Sequence, residues 1–523
     1  MALAACAGSS RPDALVTTTS EATAPSCPPD VDEVVSRRVA RDSFDVRSFD
    51  GVWLRVNLFA ATTVPAPTLL VSPGWASRGT TLDRPSERIA GELAIDELTA
   101  EGYNVVSWDR RGAGDSGGLV AMGLPSIEGR DVATIVEWIA ARPEVALEAP
   151  RDPQLGMFGG SYGGAIQLVA AAIDCRIDAI VPNMVGPSWR ASLAPGGTAK
   201  VGWINLLYSS IDDARLEPKF VELVDVANHD GAISEELIEY LDARSADSIL
   251  DSVRAPTLVL QGTVDSLFTL RQASAISEAL RARDVPTAMI WYCGGHGNCP
   301  VPTDDTWMQA ATVAWFDRYV RHRSDAPVVP TFSVVDQRGI RWTGPLGVGP
   351  SDLLVGRGSG SLTLDAASRS GPAPTTDATA SGMANVMRLI SPAAVVADHA
   401  IEVDVAIPAD TLLVGAPRVA LECRGTSPGS VAPTRVFAQL VDSATNAVVG
   451  GQVTPIPVEL DGRAHRLDVD LESIVWHAAD RSRLRLQIVA SASLFTTPRL
   501  GGSIECDTIE ARLPVTSGFV EVA

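Results

Sequence analysis

Between about residues 35 and 325, short apolar runs alternate with stretches whose apolar residues recur at three- and four-residue spacings. Thr68-Leu69-Leu70-Val71, Asn104 to Trp108, Leu155 to Phe158, Pro256 to Leu260 and Ala288 to Trp291 read as buried strands. Val132, Ile135, Val136 and Ile139 fall at i, i+3, i+4 and i+7, one face of a helix, and residues 271–283 and 304–322 pass the same test. Strands alternating with helices predict βαβ units and a mainly parallel sheet. From about 187 to 250 the alternation stops. Three helical segments follow one another (Trp203 to Ser210, Phe220 to Ala227, Ser234 to Leu241) without a convincing strand, as a cap over a site would require. Beyond 330 the period shortens to two, as in Ala400 to Val405 and Arg483 to Ile488, with Gly- and Pro-rich turns between runs. The expected organisation is a tether at 1–30, an α/β domain at 31–330 with a helical cap at about 187–250, and a β-sandwich or jelly roll at 331–523.

Composition narrows the partners. The formal net charge is −21, and Lys200 and Lys219 are the only lysines among 42 basic residues. Binding a polyanion requires a dense basic patch to neutralise phosphates; none is evident, so nucleic acid is not expected as a partner. No run of about 18 apolar residues suggests a membrane-spanning helix. Met1-Ala2-Leu3-Ala4-Ala5-Cys6 resembles a bacterial lipoprotein box, although the basic and long apolar segments that normally precede one are missing. The expectation is an exported lipoprotein anchored through Cys6 if the true start lies upstream, and a cytoplasmic protein otherwise. Apart from Cys6, six cysteines remain (Cys27, Cys175, Cys293, Cys299, Cys423 and Cys506), an even number that permits disulfides without fixing their pairing.

The chemistry gathers around Gly159-Gly160-Ser161-Tyr162-Gly163-Gly164, which follows a predicted strand and precedes a helix of small and apolar residues. Such a strand-to-helix turn needs glycines because side chains would collide there, and it lifts a serine hydroxyl above the sheet edge. A serine needs a base, itself oriented by a carboxylate. The α/β-hydrolase fold orders them Ser, then Asp or Glu, then His. Asp265 follows the strand ending at Leu260, and His296 follows the next one. Both therefore belong on loops at the sheet edge that carries Ser161. The other histidines fit less well: His229 falls in the cap, His322 at a helix end, and His399, His465 and His477 in the β region. Backbone N–H groups of Tyr162 and Trp75 are the candidates for an oxyanion hole. Asp109 and Asp115 sit in a Gly-rich loop, Asp109 to Gly117, expected to frame the pocket. Cys293, His296 and Cys299 imitate metal spacing but lack a fourth ligand; a disulfide clamping the histidine loop is expected in an exported protein, and free thiols in one that is not. Nothing in the sequence asks for a cofactor or metal, and oligomeric state is not readable.

Taken together, Arg130-Asp131, Val136-Glu137-Trp138-Ile139 and Gly156 to Gly164, with the motifs around Asp265 and His296, resemble the Xaa-Pro dipeptidyl-peptidase and cocaine esterase family of serine hydrolases. The family's trailing jelly roll resembles residues 331–523, including Leu412-Leu413-Val414-Gly415. The resemblance implies an α/β-hydrolase fold with a helical cap, an acyl-enzyme on Ser161, and a small ester, amide or short peptide as substrate. Family members commonly carry an Arg-Thr-Pro-Tyr-like segment whose tyrosine hydroxyl donates to the oxyanion. Here the segment is Ser72-Pro73-Gly74-Trp75, so that hydroxyl is absent. A dipeptidyl-peptidase must also hold a free α-ammonium, for which Asp212, Asp213 and Glu217 in the cap are candidates. The alternative from another class is a catalytically inactive surface binding protein built on the same fold.

Overall fold

The computed structural model describes residues 29, 31, 33–81, 83–86, 88–89, 93–212, 215–230, 233–347, 349–364, 397, 399–427, 429, 434–492, 494–495 and 501–522. The tether at 1–30, with Cys6 and Cys27, lies almost wholly outside these residues, and so does Asp213.

The central sheet has twelve strands. Its order is Ser36–Ala40, Ser43–Arg47, Trp53–Phe59, Asn104–Trp108, Thr68–Val71, Leu155–Gly160, Ala179–Asn183, Thr257–Gly262, Thr287–Tyr292, Phe332–Val335, Arg341–Gly344 and Val520–Val522. The run from Asn104–Trp108 to Phe332–Val335 is parallel throughout, and antiparallel strands complete both ends. Because helices cover a parallel sheet on both faces, its strands need apolar residues on every side. Thr68–Val71 and Asn104–Trp108 are accordingly buried at every position. One face packs on Ile135, Val136 and Ile139 of the helix Arg130–Ala140 and on Ile276 and Leu280 of Leu270–Arg281. The other packs on Leu98, Trp315 and Phe316.

The insertion at 187–250 is helical among its described residues, with Trp189–Leu193, Val201–Ser209, Pro218–Asp230 and Glu235–Asp242. Its apolar residues Trp203, Phe220 and Leu223 share one core with Tyr162 and Phe268 of the α/β part and with Phe437 and Phe495 of the all-β region. The cap is thus held from two sides.

The all-β region places two antiparallel sheets around a core of their own, which includes Val403, Leu421, Ile456, Leu486 and Ile509. The expected boundary at 330/331 is not where the sheets divide. Phe332–Val335, Arg341–Gly344 and Val520–Val522 extend the central sheet instead. Alternating apolar and polar positions identify a half-buried strand but not the sheet it joins.

Candidate active site

Ser161 stands between the strand Leu155–Gly160 and the helix Tyr162–Ile173 with φ 58° and ψ −124°. That conformation is strained for a residue with a side chain, and the neighbours hold it. The Ser161 N–H donates to Asn183 O on the next strand (2.8 Å). The turn also requires bare backbone beside the serine. A Cβ on Gly163 would lie 2.2 Å from Ser72 O, and one on Gly164 would lie 2.7 Å from Asn183 O.

Asp265 and His296 occupy adjacent loops, after Thr257–Gly262 and Thr287–Tyr292 respectively. The structure brings them to Ser161: Ser161 Oγ is 2.9 Å from His296 Nε2, and His296 Nδ1 is 2.7 Å from Asp265 Oδ2. Asp265 is fully buried. Its Oδ1 accepts the N–H groups of Leu267 (3.0 Å) and Phe268 (2.9 Å), and its Oδ2 accepts the His296 N–H (3.2 Å) and Gln261 Nε2 (3.3 Å). A carboxylate so thoroughly donated to cannot rotate, so the imidazole it faces is fixed as well. The ring is further enclosed by the edge of Trp203 at 5.2 Å and by Phe268 at 5.7 Å. A disulfide joins Cys293 to Cys299 across the histidine loop, which takes up both sulfurs of the metal-like spacing. Among the described residues no His, Cys, Asp or Glu cluster could hold a metal ion.

Trp75 and Tyr162 flank the serine. Their rings meet at 5.3 Å, and a Cβ on Gly74 would lie 4.0 Å from Ser161 Cβ. The Trp75 indole is committed to the cap, with Nε1 donating to Leu207 O (2.9 Å) and Ser210 Oγ (3.0 Å). The indole N–H is therefore not free to face the serine. Among the described residues, neither the backbone N–H of Trp75 nor the one of Tyr162 donates to another backbone group.

Ser161 and His296 open into a cavity of about 460 Å³ walled by the Ser72–Thr80 segment and by Met184, Trp203, Leu206, Leu207 and Leu267. Arg78 and Arg88 are its charged lining residues, and no carboxylate lines it among the described residues. Glu217 lies elsewhere, accepting from Tyr240 Oη (2.7 Å) and Arg244 Nη2 (2.5 Å), and Asp212 does not belong to the wall. Asp109 holds the framing loop together. Its carboxylate accepts the N–H groups of Gly79 (2.6 Å) and Asp115 (2.7 Å), and burial pushes its pKa up. Asp115 pairs at the surface with Arg55 and Arg78.

Sequence reasoning passed over several residues. Arg110, Glu128, Lys200 and Gln452 are buried polar groups around the site. Arg110 falls inside the Asp109–Gly117 loop, but nothing in the sequence marks the role of any of the four, since each matters only through what buries it.

Residues 50–298 match the sequence profile of the X-Pro dipeptidyl-peptidase (S15 family), and no curated relative matches the chain by sequence. Among solved structures, an α-amino acid ester hydrolase aligns at TM-score 0.63 and 13% identity, covering 96% of this chain and all of that one. A CocE/NonD family hydrolase from Staphylococcus aureus aligns at 0.60 and 13%, covering 91% and 94%. An aminopeptidase from the marine sediment archaeon Thaumarchaeota archaeon aligns at 0.59 and 12%, covering 98% and 100%. At such identities the likeness speaks for the fold, an α/β-hydrolase with an all-β C-terminal region. Over residues 50–298, the span that holds Ser161, Asp265 and His296, the chain is similar to the X-Pro dipeptidyl-peptidase (S15) family of hydrolases.

Proposed function

We propose that the chain is a serine hydrolase cleaving small ester or amide substrates through an acyl-enzyme on Ser161, and that its acyl groups lack a free α-ammonium. The observation that carries the mechanism is the continuous hydrogen-bonded line from Ser161 Oγ through the His296 ring to Asp265, open to the cavity at its serine end. His296 Nε2 accepts the hydroxyl proton as Ser161 attacks the carbonyl carbon. Asp265, accepting from Nδ1–H, keeps the ring in the required tautomer and stabilises the imidazolium. The N–H groups of Tyr162 and Trp75 receive the developing oxyanion, helped by the N-terminus of the helix Tyr162–Ile173. His296 then gives its proton to the leaving group. Water, deprotonated by the same ring, releases the acid.

The cavity wall supports an ester hydrolase over a proline-specific dipeptidyl-peptidase. Holding an ammonium calls for a carboxylate, and the charged residues in the described wall are arginines. An intact nucleophile, base and acid also argue against an inactive binding protein. The test is hydrolysis of a short-chain nitrophenyl ester beside an Ala-Pro anilide by the wild type and Ser161→Ala. Expected are ester turnover, little or no anilide cleavage, and a loss on the order of 10⁶-fold in kcat for the variant. A variant retaining a tenth of the wild-type rate would remove Ser161 from the mechanism. Anilide cleavage as fast as ester cleavage would restore the peptidase reading.

A further inference from the structure

Behind the serine lies a buried polar group that the reaction does not consume. Arg110 is 1% exposed. Its Nη2 donates to Gly74 O at 2.6 Å, and its guanidinium carbon lies 3.9 Å from the centroid of the Tyr162 ring. The Tyr162 hydroxyl donates to Glu128, whose carboxylate also accepts the Gly123 N–H at 2.5 Å. Glu128 is fully buried; burial raises its pKa and the charge of Arg110 draws it back down.

Gly74 C=O and Trp75 N–H belong to one peptide unit. In a trans peptide the two bonds point in opposite directions within one plane, so whatever fixes the carbonyl also aims the N–H. Donation to the carbonyl polarises the amide as well, which makes its N–H a stronger donor. Tyr162 supplies the other candidate donor, and its ring is pinned between the guanidinium, Glu128 and the rings of Trp75 and Trp189. One cation therefore reaches both sides of the serine. We propose that Arg110 is a positioning residue that sets the Trp75 and Tyr162 N–H groups for the oxyanion, an inference that rests on the serine-hydrolase reading above. Its planar fork serves the carbonyl on one side while its face serves the tyrosine ring on the other, which a lysine does only in part.

The experiment compares Arg110→Gln, Arg110→Met and Arg110→Lys with the wild type. It measures kcat for a nitrophenyl ester, inhibition by an alkyl boronic acid whose serine adduct is a tetrahedral anion, and binding of the intact ester by the same variants on a Ser161→Ala background. A group acting on the transition state alters the first two and spares the third. Expected is a fall in kcat of about tenfold or more in the Gln and Met variants. The boronate should weaken in parallel, ester binding should stay within about twofold, and Lys should recover part of the loss. Unchanged kcat overturns the proposal, and so does a loss matched by weaker ester binding. If all three variants fail to give the wild-type near-UV spectrum, Arg110 is a folding residue and the proposal falls. If the wild type shows no turnover dependent on Ser161, the functional reading itself has failed, and this inference with it.

Discussion

Lys200, one of two lysines in the chain, is fully buried where the cap meets the acid loop. Its Nζ donates to Ser266 O at 2.7 Å and to Leu267 O at 3.3 Å. Burial pushes its pKa down to about 8, opposed by the negative charges of Glu472 and Asp265. Between that value and the 10.5 of an unfolded lysine, the unfolded chain holds more protons than the folded one, so stability rises with pH across the window. The full shift corresponds to a gain of up to ~3 kcal/mol between pH 8 and 10.5. Lys200→Met leaves two carbonyls without their donor, an offset that does not vary with pH, and it removes the slope. Urea unfolding at several pH values should show wild type gaining on the variant across the window; a constant difference would mean that the lysine stays charged throughout. The residue scale is also where reading the sequence was most uneven. Ser161, Asp265 and His296 were legible because chain order and loop position constrain them together. Lys200, Arg110 and Glu128 were not, because an isolated charge looks alike in sequence whether water or a tyrosine ring surrounds it.

At the scale of elements, the histidine loop is the part that depends on a covalent closure. Cys293 directly follows the strand Thr287–Tyr292, and Cys299 closes back on it six residues later. His296 lies between them, and the loop backbone presses on the acid: a Cβ on Gly295 would lie 2.8 Å from Asp265 Cβ. Closing so short a loop removes roughly 2 kcal/mol of chain entropy from the open state. Cys293→Ser with Cys299→Ser should therefore lower ester kcat severalfold through a loosened His296, while the sheet core holds. Equal kcat in the double variant and the wild type, with the disulfide confirmed by mass in the latter, would show that the loop keeps its shape without the bond. The same scale shows what periodicity can deliver. Five of the seven parallel strands were plain from continuous apolar runs, and the cap from helical segments uninterrupted by a strand, but Ala179–Asn183, broken by Pro182, was not read. The strands Phe332–Val335, Arg341–Gly344 and Val520–Val522 are three or four residues long and carry no period that separates them from the sandwich, so the sheet they join had to come from tertiary pairing.

Across the whole molecule, the all-β region completes the hydrolase part. Phe332 and Val334 continue the parallel sheet and share its core with Trp342, Leu412, Val414 and Val475. Phe437 and Phe495 close the far side of the cap. Gln452 Nε2 donates to Asp265 O at 2.9 Å, which ties the acid loop to the sandwich. Arg435 donates to Gly197 O in the cap at 2.7 Å. A fragment ending at residue 330 would leave the strand Thr287–Tyr292 as a bare parallel edge and expose the apolar face under the cap, a combination that favours aggregation over folding. Residues 31–330 expressed alone should be insoluble or inactive toward the ester. The full chain, with cores shared across the sequence boundary, should lose ester activity and near-UV signal together in one denaturant transition. A soluble 31–330 fragment with wild-type kcat would show the opposite, that the sandwich is an appendage and that the cap and acid loop hold their places without it. The shared cores argue for the first outcome, because the contacts broken by the cut include the backbone of Asp265 itself.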